Sequence, residues 1–282
     1  MAETLTTTNA TTALPSALGI LFIGDVVADA GMKALAAYLP AIKERYTPDS
    51  IIINGENVVG GKGLTEVEAK QLFNWGADVI TTGNHIWENW KSRPLLASNP
   101  RVLRPHNYPM ENPGTGVAVT MLGNGVRLGV VQLQGRTYMQ TIDCPFHAID
   151  AILPELQNDA DVIIFDFHAE ATGEKVSMGW YVDGRVSAML GTHTHVQTAD
   201  ARILPGGTAY ITDVGMTGAF DSALGMRTDV AIRRFMLQTA FKYEPATGDP
   251  RVSGAFVRVE VENGHALSVE SFIYPPLSPF VP

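Results

Sequence analysis

The strongest constraint on this chain is a repeated pairing: an apolar run of strand length, then a segment patterned for a helix. LGILFIG at 18–24 precedes 30–45, where Met32, Leu35, Ala36 and Leu39 recur at helical spacing. SIII at 50–53 precedes 64–75, in which Leu64, Val67, Gln71 and Leu72 have similar spacing and Gly76 is placed to stop the helix. DVITT at 78–82 is a third strand. Further on, the pattern predicts helices over 148–158 and 227–238, and strands over 161–167, 186–190 and 208–212. Two hairpins interrupt the alternation. Runs at 117–122 and 126–133 flank Asn124-Gly125, a pair that supplies the positive φ angles of a tight turn, and runs at 255–261 and 267–273 flank Glu262-Asn263-Gly264-His265.

No internal repeat or linker divides the chain. The expectation is a single α/β domain with strands of mixed direction, arranged as two packed sheets flanked by helices, over residues 18–282. Residues 1–17 are rich in Thr, lack a basic start and carry too little apolar surface to offset the entropy of ordering them. They are expected to be a flexible tail and not a secretory signal.

Composition narrows the function. With 29 acidic against 20 basic residues the net charge is −9, which argues against a stable nucleic-acid complex or an anionic membrane partner, since each needs a basic face. A small phosphate ester remains compatible, because bound metal ions supply positive charge that the residue count omits. No run reaches the roughly 18–20 apolar residues of a membrane span. The one cysteine, Cys144, cannot form an internal disulfide, which suits a reducing compartment, so a cytoplasmic protein is expected.

The polar residues at the strand ends carry the chemistry. FIGDVV places Asp25, IINGENVV places Glu56 and Asn57, TTGNHIW places Asn84 and His85, FDFHAE places His168, and LGTHTH places His193 and His195. Ligands of open α/β sheets bind beyond the carboxyl ends of the strands, so five segments distant in sequence can meet in one crevice. Carboxylate, amide and imidazole donors together suit iron, manganese or zinc. Such a donor set exceeds the needs of one tetrahedral ion, which points to two metals sharing a carboxylate, roughly 3.5–4 Å apart.

Taken in order, GDVV, NGEN, GNHIWEN, DFHAEATGEK and GTHTHVQTAD resemble the calcineurin-like metallophosphoesterases, and within them the bacterial YmdB-type phosphodiesterases, from Gly19 to about Pro276. The chain departs from the general superfamily pattern at three points. Val27 stands where a histidine is usual, Glu56 replaces the bridging aspartate, and Thr192 precedes the last His-x-His pair. The resemblance implies a two-sheet αββα sandwich with two divalent or trivalent metal ions at one edge, iron or manganese, with zinc also admissible. One ion would take Asp25, Glu56, Asn57 and His195, with Asn57 compensating for Val27. The other would take Glu56, Asn84, His168 and His193. His85 would stay off the metals as general acid or phosphate-orienting group. The reaction implied is attack of a metal-bridging hydroxide on a small phosphodiester, with 2′,3′- or 3′,5′-cAMP-type cyclic nucleotides as substrates, in a homo-oligomer. Two other functions fit the same residues: a metal-bound nucleotide sensor with vestigial hydrolysis, and a phosphomonoesterase.

Other polar residues receive plainer readings. Asp29 suits the N-cap of the first helix, and Gly60-Gly61-Lys62-Gly63 a flexible loop near the site. Asp166 is expected to face a hydrogen-bond partner, Arg136 and Lys175 to be exposed, and Cys144 to pack. Thr194 is expected to turn away between His193 and His195 on extended backbone. Trp87, Trp90, Tyr138 and Trp180 are the aromatic candidates for a base pocket, and the loop 217–226 is expected to cover the site or meet a neighbouring subunit.

Overall fold

The apolar runs become thirteen strands and the helical segments six α-helices in a computed structural model that describes residues 14–277. β1 (Ala17–Ile23) and the two-residue β2 (Asp25–Val26) lead into α1 (Ala28–Tyr46), followed by β3 (Ser50–Asn54), α2 (Glu66–Asn74) and β4 (Val79–Thr81). A 3-10 turn (Asn84–Glu88) and α3 (Ser92–Ser98) precede the hairpin of β5 (Val117–Met121) and β6 (Arg127–Gln134). Then come α4 (Pro145–Asp159), β7 (Val162–His168), α5 (Thr172–Tyr181), β8 (Ala188–Thr192), β9 (Arg202–Ile203), β10 (Ala209–Ile211) and β11 (Met216–Ala219). Last are α6 (Thr228–Leu237) and the hairpin of β12 (Pro250–Glu260) and β13 (Ala266–Tyr274).

The strands form two sheets. In the first, β1, β3 and β4 run parallel, β12 lies antiparallel to β1, β13 pairs with β12, and β11 joins β2 to β12. In the second, β6, β7, β8 and β10 are parallel, with β5 and β9 as antiparallel edges.

Alternation along each strand sends successive residues to opposite faces, and both faces here are apolar. Ile20 and Phe22 of β1 meet Val130, Ile164 and Leu190 of the second sheet between the layers. Leu21 and Ile23 point the other way, under Leu35, Leu39 and Ile42 of α1. On the far side, Val131, Phe165 and Met189 lie under Ile149 and Leu153 of α4 and Met178 of α5. The result is the αββα sandwich, each buried Leu, Ile or Phe contributing about 1.5–3 kcal/mol through burial.

Several local expectations change. In the first hairpin only Gly125 takes a positive φ, 86°. Asn124 works instead through its side chain, whose Oδ1 accepts from the Val126 N–H at 3.2 Å, and Gly125 completes a three-residue connection. Asp29 does not cap α1. Val27 occupies the N-cap position and Asp29 lies inside the first turn, where its charge complements the helix dipole. Of the loop expected over 217–226, the first part is strand β11, a short element formed through pairing with β2 and β12. Residues 1–13 of the Thr-rich segment lie outside the described residues, and Ala17 is already paired opposite Glu260. Among the described residues, no helix is long and apolar enough to cross a membrane.

Candidate functional site

The carboxyl ends of β1, β3 and β4 face those of β7 and β8 across the sandwich, and this juxtaposition assembles the polar cluster. His168 Nε2 stands 3.1 Å from Glu56 Oε1, 3.1 Å from Asn84 Oδ1 and 3.1 Å from His193 Nδ1. His195 Nε2 stands 3.3 Å from Asn57 Oδ1, and the His193 N–H donates to Asp25 Oδ2 at 3.1 Å. Five of the proposed donors therefore form one contact group, and His195 and Asn57 form a pair joined to it through the chain at Glu56 and His193. Gly83 permits the approach, since a Cβ there would collide with both Glu56 and His168. Val27 forms an isolated bridge with Asn57, so the residue standing in for the usual histidine is next to the amide expected to compensate for it.

Each imidazole is tied on its outer nitrogen by a group outside the cluster, and its inner nitrogen faces the other donors. His168 Nδ1 lies 2.8 Å from Thr192 Oγ1, whose own proton goes to Asp166 Oδ1 at 2.7 Å, so His168 Nδ1 carries the donated hydrogen. His195 Nδ1 meets the Leu224 carbonyl at 3.1 Å, which can only accept. His193 Nε2 meets Glu170 Oε2 at 3.1 Å. Hydrogen bonds of this kind are how outer-shell groups orient metal-binding histidines. Asn57 is held likewise, because its Nδ2 donates to Gly61 O at 3.0 Å and turns Oδ1 inward.

The inward atoms are rich in acceptors, an arrangement that suits a cation between them. Asp25 Oδ1 and Glu56 Oε1 are buried without a hydrogen-bond partner. Ligands set at right angles around an ion at about 2.0–2.1 Å lie about 3 Å apart, which agrees with the spacing around His168 Nε2. The ligand atoms of Glu56, His168 and His193 fall within 4.8 Å of one another, a group that could hold a metal ion. Electrostatics lead to the same conclusion. Burial alone would lower the His168 imidazolium, but Glu56 and Asp25 raise it to about 9, so a proton is strongly held where an ion would sit. Burial, then the neighbouring His168, pushes His193 down to about 2, the neutral form that can ligate. Burial raises the Asp25 carboxyl despite His195 and His168. For Glu56, burial is outweighed by His168 and the carboxyl is lowered.

The pair His193 and His195 is not on extended backbone. β8 ends at Thr192, and the two histidines take positive φ values of 99° and 65°, a region that costs a non-glycine residue free energy. Lys175 and Asp213 clamp this turn. Lys175 is fully buried, contrary to the exposed position expected for it, and its Nζ donates to Thr192 O at 2.6 Å and Asp213 Oδ2 at 2.7 Å. Asp213 Oδ2 also accepts from the Thr194 N–H at 3.0 Å and Oγ1 at 2.8 Å, while Oδ1 accepts from the Gly215 N–H at 2.8 Å. Thr194 does turn away from the donors, but toward Asp213. A lysine reads as solvent-facing, which is why the burial of Lys175 escaped prediction. Asp213 carried a usable signal, since it directly follows the run 208–212, as the other strand-end residues follow theirs.

His85 stands beside the donors without joining them. Its N–H donates to Glu56 Oε2 at 3.1 Å, and its Nδ1 contacts Glu88, which also pairs with Lys62. Glu88 was not anticipated, although it lies three residues from His85. Asp166 accepts from Asn54 Nδ2 at 3.0 Å and from Thr192, as expected of a hydrogen-bonding group. Arg136 is exposed, and Cys144 is half-buried at the N-cap of α4. A cavity of about 910 Å³ opens at the cluster, lined by His85, His193 and His195, by Arg234 and Phe235 of α6, and by Phe241 and Tyr243. Its aromatic wall is Phe235, Phe241 and Tyr243, none of the four candidates from the sequence. Trp87 packs on Tyr108 at 5.3 Å between ring centroids, and Trp90, Tyr138 and Trp180 are exposed away from the lining. Ala223, Leu224 and Met226 also line the cavity, so the second part of the 217–226 segment borders the site.

The family of YmdB-like proteins matches residues 21–272. The chain belongs to the YmdB-like family. Within reach of this family, the chain is 45% identical over 254 residues to a 2′,3′-cyclic-nucleotide 2′-phosphodiesterase of Bacillus subtilis, covering 90% of this chain and 96% of the relative. It is 36% identical to a putative phosphatase/phosphodiesterase of Mycoplasma genitalium, covering 89% and 91%. Among solved structures, a hypothetical protein from Thermus thermophilus superposes with a TM-score of 0.85 at 40% identity, covering 91% of this chain and 99% of that one. A phosphatase from Mycoplasma pneumoniae gives 0.86 at 31% identity, covering 93% and 94%.

Proposed function

We propose that this YmdB-like protein is a metal-dependent phosphoric diester hydrolase that opens small phosphodiesters of the cyclic-nucleotide class, with 2′,3′-cyclic nucleotides foremost. The observation that carries this reading is the pair of buried carboxylate oxygens with no hydrogen-bond partner, Asp25 Oδ1 and Glu56 Oε1, beside the inward-facing nitrogens of His168 and His195. Kinship with a 2′,3′-cyclic-nucleotide 2′-phosphodiesterase supplies the substrate class. Asp25, Glu56, Asn57 and His195 would hold one ion, and Glu56, Asn84, His168 and His193 the other. The mixed oxygen and nitrogen donors suit iron or manganese, and admit zinc. When bound, the ions would lower the pKa of water from about 15.7 toward about 7 and neutralise charge on the phosphoryl oxygens.

The chain's own residues do the rest. Glu88 holds His85 Nδ1, which leaves Nε2 as the ring nitrogen available for proton transfer, on a residue that lines the cavity. Water adds to phosphorus and loses a proton to solvent, the P–O2′ bond breaks, and His85 gives a proton to the departing O2′ and takes one back from solvent, leaving a 3′-phosphomonoester and a free hydroxyl. Such general acid catalysis is worth about 10²- to 10⁴-fold. Lys62 lines the same cavity and adds positive charge near the phosphoryl group. The reading includes a cytoplasmic compartment, supported by the lone, unpaired Cys144.

Metal analysis of the purified protein, together with hydrolysis of 2′,3′-cAMP, 3′,5′-cAMP and a phosphomonoester, tests the reading. About two transition-metal equivalents and preferential 2′,3′-cAMP hydrolysis are expected. His85→Ala should keep the metal and lose about 10²- to 10⁴-fold in turnover. Full activity in that variant would remove His85 from the chemistry. Very slow turnover with retained cyclic nucleotide would make the protein a sensor, and preference for the monoester would make it a phosphomonoesterase.

A further inference from the structure

The cavity over the donor cluster has a lining of two chemical kinds. Its lining includes His85, His193 and His195 and also the aromatic side chains Phe235, Phe241 and Tyr243. A cyclic nucleotide has the same division, with an anionic phosphate at one end and a flat, weakly polar base at the other.

Tyr243 ties the two kinds together. Its ring packs on Gly61, where a Cβ would collide with it, and where φ is 92°. Its hydroxyl approaches Gly225, a Cβ at which would lie 3.3 Å away. Gly61 is the residue whose carbonyl orients Asn57, and Leu224, adjacent to Gly225, is the one whose carbonyl orients His195. The aromatic wall is thus continuous with the turns that hold two of the proposed metal donors. Phe235 extends the wall outward. It is 79% exposed on α6, a helix whose buried residues are only Val230 and Ala231. Arg234 lies on the same wall, and its guanidinium has only Met226 Sδ, at 4.0 Å, as a side-chain hydrogen-bond partner among the described residues.

We propose that the α6 side of this cavity is the nucleobase subsite: Tyr243, Phe241 and Phe235 form the stacking wall and Arg234 donates to the edge of the base, while the phosphate lies over His85, His193 and His195. The proposal rests on the phosphodiesterase reading and deepens it by assigning substrate selection to α6 and residues 239–243. Stacking on an aromatic side chain needs only the flat face that every base has, so the wall favours nucleotides over base-free esters without strong discrimination among bases.

The test compares 2′,3′-cAMP with ribose 2′,3′-cyclic phosphate, which has the same reacting group and no base, in the metal-loaded wild type and in Phe235→Ala. The wild type should show a lower KM for the nucleotide. Phe235→Ala, at an exposed position, should raise that KM by roughly tenfold and leave the base-free ester unchanged. Phe235→Trp should restore the nucleotide preference. Equal KM values for the two esters in the wild type would overturn the proposal, as would an equal loss on both in Phe235→Ala. So would unchanged kinetics with a smaller particle by light scattering, which would assign Phe235 to contact with a second copy of the chain. If the wild type hydrolyses neither ester, the phosphodiesterase reading falls. Calorimetric binding of 2′,3′-cAMP to the wild type and Phe235→Ala then decides the subsite by itself.

Discussion

Two buried clusters of charge lie on either side of the turn that carries His193 and His195, and they solve the same problem differently. Lys175 and Asp213 are fully buried, and their donors and acceptors find one another: the ammonium meets a carbonyl and a carboxylate, and the carboxylate takes three further hydrogen bonds. Asp25, Glu56 and His168 are equally buried, yet one oxygen of each carboxylate has no hydrogen-bond partner. Burying an ion costs several kcal/mol, recovered only when partners are complete. The first cluster is therefore scaffold, complete within the chain. The second is incomplete within the chain, which is the state expected of a site that takes a cation from outside.

Removing one partner from each cluster should then have opposite consequences. The largest effect is expected for Lys175→Ala, which strands the Asp213 carboxylate and should cost about 3–5 kcal/mol in urea unfolding. Unchanged stability would abolish the distinction. Gly83→Ala pushes a methyl group between Glu56 and His168, and should cost about 1–3 kcal/mol through overpacking while reducing metal content by elemental analysis. Full metal retention would show that this close approach is not needed. The smallest effect, and the one of reversed sign, is expected for Asp25→Asn in chelator-treated protein. Burial raises the Asp25 carboxyl above its ordinary value of 3.8, so the metal-free fold is penalised as pH rises past that value and Asp25 ionises. Asp25→Asn removes the penalty and should stabilise the stripped protein at neutral pH by about 1 kcal/mol, while destabilising the loaded one. Destabilisation in both states would show that the Asp25 charge is already compensated within the chain.

Much of the donor cluster was legible because its members share one kind of position. Asp25, Glu56, Asn84, His168 and His193 each follow an apolar run, and parallel strands deliver such residues to one edge whatever the loops between them do. The two-layer arrangement was legible for a related reason, since runs such as SIII and DVIIFDF carry apolar residues on both faces and need cover on both. The aromatic wall was not legible. Phe235, Phe241 and Tyr243 belong to no strand end and no motif, and tryptophans elsewhere were more conspicuous.

What the order of residues determined by itself is the chemistry available at the sheet edges: which carboxylates, amides and imidazoles arrive there, and that they outnumber the needs of one ion. What only the tertiary structure decided is how those groups are held. The left-handed turn at His193 and His195, the burial of Lys175 against Asp213 and the seat of Tyr243 on Gly61 each depend on residues far apart in the chain. Local sequence encodes donor type and strand periodicity because both follow from a few neighbouring residues. It cannot encode the partner that makes a buried charge or a strained backbone tolerable, because that partner is chosen only when the two sheets close on each other.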